Sequence, residues 1–212
     1  MNKPTKKTIS IFLFCGILST AIYIVADSIC ALVYPGYSYT SQAISELSAI
    51  GSPTTQLWKM LTFLFDPLIM AFGLGVFLSS KKWLQKVTGT LLILFGISGY
   101  AWLFFPMNMR GNIGSVSDTG HLVLSVITVI LLTLILAFGS DTVGKKFRIY
   151  SIATILVMLF FGFLVGQMAP KVAAQESTPW MGIYERISVF SPMIWMSILA
   201  ANLIHIEKIK KM

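Results

Sequence analysis

Charged residues are scarce in this sequence. Asp, Glu, Lys and Arg account for 11% of its 212 residues, whereas 56% are hydrophobic. A soluble domain needs roughly a quarter of its residues charged to cover a water-facing surface. The composition, with a mean hydropathy of +0.80, therefore excludes an ordinary soluble domain and predicts an all-α integral membrane protein. The length fits one domain covering residues 1–212.

Cysteine and histidine are also few, with two of each. Cys15 and Cys30 would lie ~22 Å apart on one helix, too far for a disulfide between them. His121 and His205 are predicted at opposite membrane faces, so we expect no haem held by two histidines. The net charge of +8 sits in short clusters between apolar runs without interleaved exposed aromatics, which argues against nucleic-acid binding.

Long apolar runs are what the sequence has instead. A membrane-spanning helix needs about 20 mostly apolar residues, and six stretches qualify. Strands are excluded because these runs are continuous rather than alternating. The predicted spans are Thr8–Tyr34, Trp58–Leu78, Trp83–Phe105, Ser117–Phe138, Phe147–Met168 and Gly182–Ile206.

Lysine and arginine predict the orientation. Twelve of the 16 basic residues lie on the side of the two termini and of the connections near residues 79–86 and 139–148. Basic loops stay in the cytoplasm, so both termini are predicted there. The longer outer connections include residues 39–51, which we predict as a short interfacial helix that Thr40 or Ser41 begins and Gly51 ends.

Acidic residues cluster on the opposite side. Asp27 and Asp66 are the deepest, ~10 Å and ~12 Å along their helices from the predicted outer ends. Burying a carboxylate at the bilayer centre costs about 2.5–3.5 kcal/mol on insertion scales, so such a group is a functional-site hypothesis by default. The acidic residues of the outer half or outer loops are Asp27, Glu46, Asp66, Asp118, Glu176 and Glu185.

Asp118 and His121 are three residues apart and share one helix face. With Asp66 and Glu185 they are candidate ligands of a divalent metal. They are equally candidates for acid–base catalysis or for a structural hydrogen bond between helices. The candidate catalytic residues are thus Asp66, Asp118 and His121, and the same three are the metal candidates.

Arg110 and Arg186 are the only arginines predicted outside. A guanidinium suits bidentate binding of phosphate or carboxylate, and the alternative pairs Arg186 with Asp118 or Asp66 across the bundle. Glu185 and Arg186 diverge by ~100° on a helix, so only one points squarely inward. The candidate ligand-binding residues are Glu46, Arg110, Glu185, Arg186 and Asp27.

Several short motifs occur in a characteristic order: Ser45-Glu46-Leu47-Ser48-Ala49 before the second span, Phe105-Pro106 closing the third, His121 in the fourth and Glu185-Arg186 opening the sixth. In this order they resemble the bacterial and archaeal membrane family called "domain of unknown function nine-nine-eight". The resemblance implies a six-helix fold in a prokaryotic plasma membrane. Members often have Asp where this chain has Glu46, which adds a methylene. The family is distantly similar to eukaryotic six-span proteins of lipid distribution and lipid-anchor remodelling.

The leading functional hypothesis is a polar pocket at the outer leaflet that binds a lipid headgroup or another amphiphile, with membrane lipids as partners. Alternatives are a membrane-embedded hydrolase or transferase, a small proton-coupled transporter and a non-catalytic accessory subunit. The oligomeric state is left open. In the pocket, Arg186 and Arg110 would contact an anionic group, and the polar wall would comprise Asp66, Asp118, Glu46 and His121.

Overall fold

The structure, a computed structural model, describes residues 4–209, and all regular structure within that range is helical. Eight α-helices and two 3₁₀ helices, Ile44–Ser48 and Tyr100–Leu103, follow one another along it. The α-helices are α1 Lys6–Val33, α2 Thr55–Thr62, α3 Phe65–Leu78, α4 Trp83–Gly99, α5 Val116–Gly139, α6 Lys145–Gly166, α7 Ala169–Ala173 and α8 Met181–Ile209.

Six helical segments are long and apolar enough to cross a membrane. They confirm the six predicted spans, with ends that differ by a few residues, and the protein is a multi-pass membrane protein. Three spans join two helices each: Thr55–Leu78 contains α2 and α3, Trp83–Leu103 contains α4 and a 3₁₀ turn, and Lys145–Ala173 contains α6 and α7.

The spans form a ring in sequence order. Each one packs against the next along the chain, and α8 closes the ring by packing against α1. Since the helices alternate in direction, the ring has two ends. We call the end that holds residues 79–82, residues 140–144, the start of α1 and the end of α8 the terminal end. The opposite end, with the longer connections, is the loop end.

Small residues let the ring close tightly. A Cβ on Gly89 of α4 would lie 2.6 Å from the carbonyl oxygen of Gly73 on α3, so the two backbones are in contact. At the terminal end, the interior is filled by Trp195 of α8, which is fully buried. Its Nε1 donates to Ser151 Oγ at 2.7 Å, and its ring abuts Gly139 of α5. The ring therefore has a packed floor.

The predicted helix over residues 39–51 is shorter than expected and of a different type. It is a five-residue 3₁₀ helix that begins after Ala43 rather than at Thr40 or Ser41. The Glu46 carboxylate accepts from Ala43 N at 2.9 Å, so a side chain holds the helix start. Gly51 has φ +89°, and it follows this helix in a turn as a glycine suits.

Candidate functional site

The deepest ion pair joins the first and the last span. Arg186 Nη2 and Nε donate to the two oxygens of Asp27 at 2.9 and 3.0 Å. The side chains are 4% and 0% exposed. A bidentate pair offsets part of the cost of burying both charges. The sequence suggested Asp118 or Asp66 as the partner of Arg186. That pairing is wrong, because α8 lies against α1.

The remaining Arg186 donors bind the first connection. Nη2 donates to the hydroxyl of Tyr37, and Nη1 donates to the carbonyl oxygens of Tyr39, Gln42 and Gly182. The guanidinium carbon lies 3.5 Å from the centroid of the Tyr39 ring. Burial raises the pKa of the Tyr37 phenol above its usual value, so Tyr37 stays a donor, to Ala43 O at 2.8 Å. Every nitrogen of Arg186 is therefore used within the protein.

A second ion pair joins the connections at the loop end. Arg110 Nη2 and Nε donate to the two oxygens of Glu46 at 2.7 and 3.1 Å. Arg110 Nη1 donates to Glu176 O and to Thr178 Oγ1, both at 3.0 Å. Residues 34–54, 104–115 and 167–180 are thereby tied together, and we call them the loop cap. Ile50 N also donates to Met107 O at 2.8 Å.

Asp118 holds the start of α5 rather than facing the ring interior. Its carboxylate accepts from Asn108 N at 2.7 Å and from Gly114 N and Ser115 N at 2.9 Å. Ser115 Oγ in return accepts from Asp118 N, which completes a reciprocal cap. These donors occupy both carboxylate oxygens. Asp118 and His121 are thus neighbours on α5 with separate partners.

His121 is held by the end of the preceding span. Its Nδ1 lies 3.1 Å from Phe105 O, and its ring lies edge-on to Trp102 with centroids 4.7 Å apart. A carbonyl oxygen only accepts, so Nδ1 carries the hydrogen and Nε2 presents its lone pair. Gly120 makes this close approach feasible, since a Cβ there would lie 2.2 Å from the Phe105 ring.

Asp66 differs from the other acidic residues. It is half-buried in α3 and makes neither a hydrogen bond nor an ion pair with any side chain or backbone group in residues 4–209. Its carboxylate lies directly against the backbone of α4, because a Cβ on Gly99 would be 1.9 Å from Oδ1. Gly99 is one turn before Trp102, the residue that contacts His121. Asp66 is therefore a carboxylate within a span whose oxygens accept no hydrogen bond from residues 4–209.

Glu185 is the second carboxylate that can accept further hydrogen bonds. One of its oxygens accepts a 2.5 Å hydrogen bond from Ile44 N in the loop cap. Nearby, the Tyr23 ring of α1 packs against Trp58 and Phe65 with centroids 5.3 and 5.1 Å apart, and against Phe190 of α8 at 6.5 Å. The first, second and sixth spans thus meet around Tyr23.

The inward face of α5 loses its packing toward the loop end. Leu132, Leu136 and Gly139 are buried, along with Ile135. The same helical face continues at His121, Ser125 and Thr128, which are only half-buried. A helical face repeats at three- and four-residue intervals, so these side chains continue the inward face of α5; His121 on it lies against Trp102 and Phe105.

The inward face of α6 is also less buried toward the loop end, where Phe161 packs against Tyr184 of α8 with ring centroids 5.7 Å apart and Val165 packs against the loop cap. Phe147, Ser151, Thr154 and Met158 are buried, whereas the continuation of that face at Phe161, Gly162 and Val165 is half-buried. The spans that contain α5 and α6 are the least buried of the six, at 22% and 17%, against 44% for α8. We call the space bordered by His121, Ser125, Thr128, Phe161 and Gly162 the lateral cleft.

The cleft has a roof and a floor. Above it the loop cap spans from α5 to α6, where Gly111 N donates to Val172 O at 3.1 Å. Below it lie Trp195 and Gly139. Along its side, a Cβ added to Gly162 would meet Ser188 Oγ of α8 at 3.2 Å, and one added to Gly166 would have no neighbour within 4 Å. Gly162 therefore lies against α8, whereas Gly166 faces open space.

The sequence profile described as "Protein of unknown function (DUF998)" matches residues 17–202. The chain belongs to the DUF998 family. The resemblance noted in its motifs is thereby confirmed. No curated protein and no solved structure matches this DUF998 protein.

The candidate residues of this DUF998 protein fall into two groups. Those in saturated contacts are Asp27 with Arg186, Glu46 with Arg110, and Asp118 with its cap. Those with at least one hydrogen-bonding atom that has no partner within residues 4–209 are Asp66, His121 and Glu185. No three His, Cys, Asp or Glu side chains within residues 4–209 lie close enough together to hold a metal ion. The metal site considered for Asp66, Asp118 and His121 is therefore not assembled.

Sequence reasoning missed the residues that hold these groups in place. Tyr37 and Tyr39 contact Arg186, Asn108 donates twice to Asp118, and Tyr23 packs between spans against Trp58, Phe65 and Phe190. One signal was available for Asp118, because Ser115-x-x-Asp118 at the start of an apolar run is a capping pattern. The tyrosines carry no comparable signal, since their contacts are made between distant parts of the chain.

Proposed function

We propose that this DUF998 protein is a plasma-membrane protein of a prokaryote that binds a lipid or another amphiphile in the lateral cleft. Residues 1–212 form its one domain. The supporting observation is that the inward faces of α5 and α6 are buried at the terminal end but only half-buried toward the loop end, beneath the loop cap. A molecule with an alkyl chain can reach such a space directly from the bilayer, without crossing water.

The proposed orientation puts both termini in the cytoplasm and the loop cap outside. The support is the excess of Lys and Arg at the terminal end. The 3₁₀ helix Ile44–Ser48 would then lie at the outer interface. A reporter that fluoresces only in the cytoplasm is expected to be active when fused after Met212 and inactive when inserted at Gly36. The reverse pattern would contradict this orientation.

Blocking the cleft tests the binding proposal. Ser125→Trp places a large side chain on the half-buried inward face of α5. Val126→Trp is the matched control, because Val126 is the next residue and is 60% exposed on the lipid-facing side. Native mass spectrometry of purified protein would count retained lipids. We expect Ser125→Trp to lose a bound lipid that both the wild type and Val126→Trp keep.

Two results would contradict amphiphile binding at this place. One is a wild-type protein that carries no more lipid than a detergent-washed control protein of similar size. The other is an equal amount of bound lipid in both tryptophan variants. The melting temperatures of both variants should be measured in the same detergent, so that a loss of lipid is compared only between folded proteins.

A membrane-embedded hydrolase or transferase is the second candidate, and His121 favours it. The Phe105 carbonyl fixes the ring so that Nε2 presents its lone pair, which is the geometry of a general base. This candidate predicts slow turnover of lipids in nanodiscs that His121→Gln abolishes while lipid binding is retained. Equal turnover by the wild type and His121→Gln would remove it.

A further inference from the structure

We propose that the terminal end is a docking surface for anionic phospholipids, separate from the lateral cleft. Within residues 4–209 this end carries nine basic side chains and two acidic ones. The acidic residues are Asp141, which is paired with Arg148, and the buried Glu207. The basic residues are Lys6, Lys7, Lys81, Lys82, Lys86, Lys145, Lys146, Arg148 and Lys208.

The protein itself offsets little of this charge. Arg148 has Asp141 as its partner, and Lys86 Nζ lies 5.5 Å from the centroid of the Phe77 ring. Neither α4 nor α6 has an acidic residue in its first turn. Like charges that lie close together repel one another, so negative charge from outside the chain would stabilise this end. The exposed lysines that form no ion pair within residues 4–209 are Lys7, Lys81, Lys82, Lys145, Lys146 and Lys208.

The positive charge is densest on the two sides of the end of α5. Trp83, the first residue of α4, packs edge-on against Phe138 of α5 with ring centroids 6.2 Å apart. The two lysines directly before Trp83 therefore lie beside the end of α5. On its other side α5 packs against α6, whose first two residues are also lysines. We call Lys81, Lys82, Lys145 and Lys146 the basic corner.

Short connections hold the basic corner at the membrane boundary. Only residues 79–82 join α3 to α4, and only residues 140–144 join α5 to α6. The Trp83 side chain is 67% exposed, and tryptophans at the ends of spans lie at the level of the lipid headgroups. A lysine there lays its alkyl part along apolar surface and extends its ammonium group to the polar layer. The four ammonium groups are therefore placed at the depth of the lipid phosphates.

An anionic phospholipid is the partner that fits this position and this charge. Attraction to an anionic membrane surface is worth roughly a fivefold gain in affinity for each lysine near it. A zwitterionic headgroup gains less, because its own ammonium group is repelled by the lysines. The lipid also reaches the basic corner by diffusing within the bilayer, whereas a soluble acidic partner would have to approach the membrane from the water.

Competition between two lipids with identical acyl chains tests the proposal. Purified full-length protein in detergent receives equal amounts of phosphatidylglycerol and phosphatidylcholine, and native mass spectrometry measures the ratio in which they are bound. We expect the wild type to prefer phosphatidylglycerol by at least about tenfold at low salt. The preference should fall as sodium chloride is raised from about 0.05 to 0.5 M, because salt screens exposed charges.

Two double variants with equal charge identify the surface. Lys82→Gln with Lys146→Gln removes one lysine from each side of the basic corner and should lower the preference by at least about fivefold. The matched control is Lys59→Gln with Lys171→Gln, which removes two exposed lysines toward the loop end and should keep the preference. Lys82→Arg with Lys146→Arg retains the charge and should also keep it. Melting temperatures in the same detergent check that all variants are folded.

Three results would overturn the proposal. The first is equal binding of the two lipids by the wild type, which would assign the positive surface to an acidic protein or nucleic acid instead. The second is an equal loss of preference in both glutamine variants, which would reflect net charge rather than the basic corner. The third is a loss of preference in the arginine variant. Ser125→Trp should leave the preference unchanged, so this proposal and amphiphile binding in the lateral cleft can fail separately.

Discussion

Removing Asp27 should destabilise the protein far more than removing an exposed carboxylate. In Asp27→Ala, Arg186 keeps its contacts with Tyr37 and backbone oxygens but loses its only opposite charge. Breaking a buried ion pair by removing one partner costs about 3–5 kcal/mol. For 150–250 residues, 1 kcal/mol corresponds to roughly 2–4 °C in melting temperature in soluble domains. We therefore expect Asp27→Ala to melt roughly 10 °C below the wild type.

The structure supplies a matched comparison. Arg148 and Asp141 form an ion pair whose side chains are 54% and 45% exposed, against 4% and 0% for Arg186 and Asp27. Exposed pairs contribute about 0–1 kcal/mol. Asp141→Ala should therefore melt within about 4 °C of the wild type. Both variants remove one carboxylate from a pair with arginine. The difference between their melting temperatures therefore measures the effect of burying the pair.

A third variant separates the effect of an unpaired buried charge from the effect of the space that the Asp27 side chain leaves. Asp27→Ala combined with Arg186→Met removes both charges and leaves a chain of similar length at position 186. Because an uncompensated buried charge is the main cost, the double variant should be more stable than Asp27→Ala alone. Thermal unfolding in one detergent, followed by tryptophan fluorescence, measures all three. The reasoning is refuted if Asp27→Ala and Asp141→Ala melt at the same temperature. It is also refuted if Asp27→Ala and Arg186→Met lower the melting temperature additively.

Three further predictions concern the loop cap, the start of α5 and helix packing. Glu46→Gln removes the charge that binds Arg110 and should destabilise the protein by about 1–3 kcal/mol. The expected result is faster protease cleavage in the loop cap, and an unchanged cleavage rate would contradict the role of this contact. Asp118→Asn faces several donors with an amide and should cost a similar amount, seen as faster hydrogen exchange at the amides of residues 108, 114 and 115. Gly89→Ala should cost about 1–3 kcal/mol by overpacking, since its Cβ would meet α3 backbone at 2.6 Å. Gly166→Ala, with no neighbour within 4 Å, is the control, and equal melting of the two variants would contradict the packing argument.

The number and limits of the spans could be predicted from the sequence because they depend on local properties. A run of about 20 apolar residues is required by bilayer thickness and needs no knowledge of neighbouring helices. The third predicted span, Trp83–Phe105, coincides with the observed Trp83–Leu103 at its first residue. Its last turn is 3₁₀, which hydropathy does not distinguish from α-helix.

The partner of Arg186 could not be predicted, because hydropathy carries no information on which helices are neighbours. Asp27 and Asp66 lie at a similar depth and Asp118 lies near the outer end of its span, so depth alone does not single out Asp27 as the partner of Arg186. The choice depends on ring closure between α8 and α1. Glu185 illustrates the part that was predictable: adjacent helical residues diverge, and here Arg186 binds α1 while Glu185 binds the loop cap.

Closure of the ring by Asp27 and Arg186 has a consequence for biosynthesis. The ribosome completes α1 long before α8, so the carboxylate enters the bilayer at least 150 residues of synthesis ahead of its guanidinium. Until α8 inserts, Asp27 lacks the guanidinium that binds it in the folded protein, and a carboxylate without a partner is unfavourable within a bilayer. The meeting of the first and last helices therefore removes this cost only at the final stage of insertion.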